Sequence, residues 1–156
     1  MIRVQREDFD PGREIERLIA GDTRIGGVAS FVGLVRGAAD GTPIKAMTLE
    51  HYPGMTEKKL AEIEAEANRR WPIAASLIVH RYGRLEPGER IVLVAVASAH
   101  RLAAFEACQF LVDWLKTKAP FWKQEESDEG RHWVDSRSSD DEAARRWRKT
   151  GPKAAE

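Results

Sequence analysis

Residues 100–125, HRLAAFEACQFLVDWLKTKAPFWKQE, decide how this chain folds. They follow a very apolar run, Ile91 to Ala97, bounded by Gly88 and Ser98, which reads as a buried strand. Ser98 is then the expected N-cap of a helix. Leu102, Phe105, Cys108, Val112 and Leu115 recur at helical spacing and predict one apolar face. Pro120 stops the helix, and Ala119 before it is pushed toward an extended conformation. The order is therefore strand, basic pair His100-Arg101, amphipathic helix, and an extended segment, with Lys116, Lys118 and Lys123 at the far end.

Free N–H groups at a helix start, beside a His-Arg pair, suit a phosphate. An ordinary exposed helix start fits the same residues. The lysines at the other end suit a second anionic or electrophilic centre. Arg101 and Lys116 are about 22 Å apart on a straight helix rising about 1.5 Å per residue. One small ligand cannot touch both on the same helix. If both clusters serve one pocket, they come from two copies of the chain.

Composition narrows the class. The length of 156 residues fits one domain, and an apolar fraction of 42% is enough for a core. Acidic and basic residues balance at 25 each, so bulk charge points to neither nucleic acid nor membrane, and any anion site is local. The N-terminus carries no apolar signal core, and no run approaches transmembrane length. Cys108 is the only cysteine, which excludes an internal disulfide and a Cys-rich metal site. A cytoplasmic enzyme or binding domain is expected.

Outward from the central stretch, Ile2 to Gln5 reads as an edge strand. Asp10-Pro11 opens a helix whose apolar face is Ile15, Leu18 and Ile19. Ile25 to Val35 and Ile44 to Tyr52 read as two strands of a hairpin with a long loop. Thr56 is the expected cap of a helix from Glu57 to Arg70. Ser76 to Tyr82 is a further strand, and His132-Trp133-Val134 a last short one paired with Phe121 to Glu125. Asp140 to Trp147 predicts a short helix. Residues 1–147 form one expected domain, and 148–156 an expected disordered tail. Strands and helices mix without strict alternation, so the predicted class is α+β, with a mostly antiparallel sheet and three main helices.

Each candidate residue has a plainer reading beside the chemical one. Arg36 ends a glycine-containing strand, a position that suits an anion contact or a solvated turn arginine. Lys116 and Lys123 are candidate catalytic lysines, but lysines near a helix end also complement its dipole or face water. Phe121-Trp122 beside Lys123 can wall a water-poor pocket. Cys108 falls mid-helix on the apolar side and reads as an inert core thiol. His51, His80 and His132 lack metal-ligand spacing and read as structural.

Three longer motifs carry more: LEHYPGMTE at residues 49–57, Ser98-Ala99-His100-Arg101 with Ala104-Phe105-Glu106-Ala107, and LKTKAPFWK at residues 115–123. Phe31-Val32-Gly33 through Arg36 and Trp133-Val134 agree with them. Together they resemble the large, catalytic subunit family of molybdopterin synthase, from about Gly26 to Trp147. The resemblance implies an α/β hammerhead-type fold and a homodimer of this subunit. It also implies a small ubiquitin-like sulfur carrier at each end, a heterotetramer overall. The carrier's C-terminal Gly-Gly thiocarboxylate would thread into the pocket. It would supply sulfur to cyclic pyranopterin monophosphate (precursor Z), making molybdopterin for molybdenum cofactor biosynthesis. No cofactor and no metal are implied. The family's substrate contacts fall here on Arg36, His100, Arg101, Lys116 and Lys123, with neighbouring contacts at Leu34, Val35, Gln124 and Glu125. Arg137 matches a further family arginine. Lys116 and Lys123 are the expected catalytic pair. The loop Gly37-Ala38-Ala39-Asp40-Gly41 departs from the family in lacking the polar residues expected of relatives there. A different class also fits the residues alone: a non-catalytic binder of an anionic pterin or nucleotide, or a docking scaffold for a ubiquitin-like protein.

Overall fold

The structure is a computed structural model that describes residues 1–135 and 138–148. The apolar run becomes strand β8 (Arg90–Ser98), flanked in one four-stranded sheet by β6 (Ala75–Arg81) and β2 (Gly27–Leu34), with β1 (Ile2–Gln5) beyond β6. Only β1 and β6 run parallel in that sheet. The run is continuous because both its faces are covered. Val92, Val94 and Val96 pack toward α2 (Met55–Arg70) and α3 (Arg101–Lys118), against Leu60, Ile63, Ala107 and Leu111. Leu93 and Ala95 point the other way, joining Phe9 and, on α1 (Pro11–Ile19), Ile15 and Leu18. Asp10 caps α1 as expected, its carboxylate accepting from the Arg13 N–H.

A second sheet, wholly antiparallel, has the order β10 (Gly130–Val134), β9 (Phe121–Ser127), β5 (Ala46–His51), β7 (Gly83–Leu85). Its inner face holds Met47, Leu49 and Leu85 around Val35. The class is α+β and the strands are mostly antiparallel, as the pattern predicts.

Several local expectations are corrected. The strands on either side of the 37–43 loop do not form a hairpin: β2 pairs with β8, while β5 belongs to the second sheet. The buried Val35 is the crossing point. The loop instead folds on itself as β3 (Ala38–Ala39) and β4 (Thr42–Pro43). Ser98 does not cap α3. His100 is the N-cap, and the Ser98 hydroxyl donates to the Pro72 carbonyl. Thr56 lies inside α2, whose N-cap is Gly54; its buried hydroxyl donates to the Tyr52 carbonyl.

The buried face of α3 keeps Cys108 and Leu115 of the expected set, with Val112 packed at its edge, but is otherwise different. It is Ala103, Ala104, Ala107, Cys108, Phe110, Leu111 and Leu115, whereas Leu102 and Phe105 are 62% and 64% exposed. Ala103, Ala104 and Ala107 let the first half of the helix lie close on the sheet, and Leu102 and Phe105 are turned outward there. The last segment, α4 (Ser138–Arg145) and a 3-10 turn at Arg146–Arg148, is latched to α3 through Trp147. That ring meets Trp71 and Phe110 edge-on, and its N–H donates to Asp113 at 2.8 Å. Of the expected tail at 148–156, Arg148 belongs to that 3-10 turn, and residues 149–156 lie outside the described residues.

Candidate functional site

The strand–helix reversal of β8 and α3 separates the candidate residues into two groups. β8 ends at Ser98, and α3 returns antiparallel to it, so His100 and Arg101 stand at one end of the molecule and Lys116 at the other. β2 gives the same polarity: Gly27 pairs with Ser98 and Leu34 with Arg90. Seven strand residues of about 3.4 Å each separate these pairs by roughly 24 Å. Arg36, just past Leu34, therefore lies at the Lys116 end.

At the His100 end, both basic residues are exposed. His100 has no side-chain capping bond, and α3 has no acidic residue in its first turn. The His100 N–H donates to the Ser98 hydroxyl at 3.4 Å, tying the helix start to the strand end. Gly26 closes the corner: a Cβ there would sit 2.2 Å from the Ala99 carbonyl oxygen. Only glycine lets β2 begin beneath the α3 N-terminus.

At the other end, Arg36 follows a fixed point. Val35 is 2% exposed and clamped by backbone bonds in both directions, its N–H donating to Glu89 and its carbonyl accepting from Gly88. Its side chain packs on Leu49, and Leu49 pairs directly across with Lys123. Arg36 and Lys123 thus flank one apolar cluster. Leu34 is exposed beside them, after a register shift at Gly33/Leu34. Lys116 is exposed in the last turn of α3, with buried Leu115 behind it.

β9 alternates. Phe121, Lys123 and Glu125 share the inner face; Trp122 and Gln124 share the outer one. Glu125 is buried, with His132 Nε2 3.6 Å from its carboxylate. Gln124 lies between Trp133 and Thr48 and is turned away from Lys123. Of the candidates, then, Leu34, Val35, Arg36, Lys116, Lys123 and Glu125 gather at one end, His100 and Arg101 lie at the other, and Gln124 is on the opposite face of β9. Arg137 falls outside the described residues.

Two features escaped sequence reasoning. One is the exposure of Leu102 and Phe105 next to the basic pair; the flanking alanines were the available signal. The other lies under Lys123: the His80 ring stacks on Phe121 at 3.7 Å, with His51 and Tyr82 alongside. Only His80 and Tyr82 are neighbours in sequence; His51 and Phe121 come from other segments, so no spacing announces the cluster. Burial pushes the Cys108 thiol up to about 11, so it is not a nucleophile at neutral pH. Among the described residues no group of His, Cys, Asp and Glu could hold a metal. No helix is long and apolar enough to cross a membrane.

The MoaE protein family model matches residues 4–118. A molybdopterin synthase catalytic subunit from Pseudomonas aeruginosa is 58% identical over 146 residues, covering 94% of this chain and 97% of that one. Among solved structures, the molybdopterin biosynthesis MoaE protein of Burkholderia ambifaria superposes with a TM-score of 0.82 at 51% identity, over 96% of this chain and 99% of that one. The molybdopterin synthase of Staphylococcus aureus gives 0.80 at 34% identity, over 85% and 96%. With more than two thirds of its length matched in sequence and fold alike, the chain belongs to the MoaE family, that of molybdopterin synthase catalytic subunits.

Proposed function

We propose that this chain catalyses sulfur transfer to cyclic pyranopterin monophosphate in the cytoplasm, drawing sulfur from the thiocarboxylated C-terminus of a small ubiquitin-like carrier, and that each pocket is built from two copies of the chain. The observation that carries this reading is the sorting of exposed cations to opposite ends of one subunit. Arg36, Lys116 and Lys123 form one half of a pocket; His100 and Arg101 form the other half of a second one.

A two-fold axis reconciles the halves. β2 is an edge strand with Phe31 and Leu34 exposed, and Leu102 and Phe105 lie bare beside His100 and Arg101. Burying a Phe or Leu side chain contributes roughly 1.5–3 kcal/mol, so four such residues favour association. A second copy laid antiparallel along this face brings His100 and Arg101 of the partner subunit to the Leu34–Arg36 end of the first. The symmetry is closed, and each dimer holds two equivalent sites.

In such a pocket Arg36, with His100 and Arg101 of the partner subunit, binds the phosphate and stabilises the charge that grows as the cyclic ester opens. Lys116 moves the proton and Lys123 orients the carrier's terminus. The carrier's thiocarboxylate supplies the sulfur, so the chain needs no thiol of its own, in keeping with the inert Cys108. Each carrier delivers one sulfur atom, and the dithiolene needs two. Two carriers on one dimer give a heterotetramer.

Lys116→Ala tests the catalytic assignment. Loss of a proton-transfer group lowers turnover by about 100-fold or more, with the carrier still bound. A modest loss of ligand affinity, with no turnover in the unsubstituted protein either, would instead mark a non-catalytic binder or scaffold.

A further inference from the structure

Beneath Lys123 a ring of the first sheet stacks on a ring of the second. His80 is 4% exposed in β6, and its ring lies nearly parallel to that of Phe121, at 3.7 Å and 15°. The imidazole is fixed in rotation: Nδ1–H donates to the Arg81 carbonyl at 2.8 Å, and a carbonyl can only accept, so the proton is on Nδ1. On its other side Phe121 meets His51, whose ring also leans on Tyr82 at 4.5 Å. His51 is held in turn by Thr56. The Thr56 hydroxyl gives its one proton to the Tyr52 carbonyl, so it accepts from His51 Nδ1 at 3.2 Å. The Glu50–Met55 turn thereby acquires a purpose: it seats one wall of the ring stack.

Phe121 is the first residue of β9, and its N–H reaches back to the Ala119 carbonyl at 2.9 Å. The chain thus leaves α3, rounds Pro120 and enters β9 with no slack. Lys116 lies before this corner. Lys123 lies after it, on the same face of β9 as Phe121. Wherever the Phe121 ring settles, the Lys123 stem follows.

We propose that His80 is a positioning residue for Lys123: it is the platform on which Phe121 stacks, and this stack sets where Lys123 stands relative to Lys116. The inference rests on the reading of Lys123 as part of the pocket. Burial, aided by the nearby Lys123 and His51, pushes His80 down to about 4 despite its bond to Arg81. The platform is therefore uncharged at neutral pH and adds no cation beneath the Lys123 amine.

The test compares His80→Ala, His80→Phe, Phe121→Ala and the His80→Ala/Phe121→Ala double variant, in the full chain with carrier and precursor Z. Loss of position should lower kcat about 10- to 100-fold in His80→Ala. KM should stay within about threefold, since Arg36, His100 and Arg101 still hold the phosphate. His80→Phe keeps a ring at that place and should restore most of kcat. The double variant should be no worse than Phe121→Ala, because both changes break one stack. A second readout needs no turnover: lysines are dimethylated with ¹³C, Lys123 is assigned through Lys123→Arg, and its signal is compared between variants. It should move in His80→Ala and return in His80→Phe. An unmoved Lys123 signal in folded His80→Ala, or additive losses in the double variant, overturns the inference. Absence of product from the unsubstituted protein would overturn the functional reading instead, leaving the signal comparison to decide the role of His80.

Discussion

If each pocket takes its lysines from one copy and its His-Arg pair from the other, two inactive variants can repair one another. Lys116→Ala removes the proton-transfer group, and Arg101→Ala removes a phosphate contact about 22 Å away along the same helix, at about 1.5 Å per residue. In a mixed dimer one pocket carries both lesions. The other carries neither, because its lysine comes from the Arg101→Ala chain and its arginine from the Lys116→Ala chain. After random subunit exchange at equal amounts, about half the dimers are mixed and half their sites are intact, so activity should reach about a quarter of the unsubstituted level by the symmetry of the two sites. With a fraction f of one variant, recovery follows f(1 − f) and peaks at equal mixing. The assay is product formation after co-refolding or co-expression across a series of ratios. A straight line between the two parental activities at every ratio would refute the shared pocket, since a pocket made within one chain cannot be repaired by mixing.

Two further outcomes follow from the same geometry. Phe105→Glu should barely change the stability of the monomer, the side chain being 64% exposed, with an effect within about 0.5 kcal/mol; it should shift the chain toward monomer in sedimentation and remove activity with it. His80 gives a pH dependence of stability. Its folded value of about 4 lies below the ordinary 6.5, so the unfolded chain binds the extra proton between those values. The contribution is present above pH 6.5 and is lost as pH falls toward 4, by an amount of order 3 kcal/mol. In urea titrations at pH 7 and pH 5, His80→Phe should flatten that decline; an unchanged slope would show that the buried imidazole is not its source.

The sequence made some of this architecture plain and hid other parts for identifiable reasons. The β8–α3–β9 course was readable because an unbroken apolar run, a helical period and Pro120 each mark a different element. The separation of Arg101 from Lys116 needed only the helical rise. The partner of β2 was not readable. Adjacent strands usually pair, and what sends β5 to the second sheet is the burial of Val35 among Met47, Leu49 and Leu85, which is a tertiary fact. The inner face of α3 is legible at Cys108, Val112 and Leu115 but not in its first turns, where large apolar residues outweigh alanines in any periodicity argument and yet Ala103, Ala104 and Ala107 are the buried ones. The bare Leu102 and Phe105 then have a use that the subunit alone does not supply. Ser98 and Thr56 look like caps in sequence, but each hydroxyl bonds a carbonyl of a neighbouring turn instead. The platform under Lys123 is out of reach of sequence patterns, because His51, the His80–Tyr82 stretch and Phe121 converge from three separate segments.

The most direct measurement is incubation of the purified chain with precursor Z and thiocarboxylated carrier, followed by mass detection of the pterin. The pterin should lose its cyclic ester and gain two sulfur atoms, dependent on both the carrier's thiocarboxylate and Lys116. Carrier bound and precursor Z bound, with no sulfur appearing on the pterin, would contradict sulfur transfer by this chain.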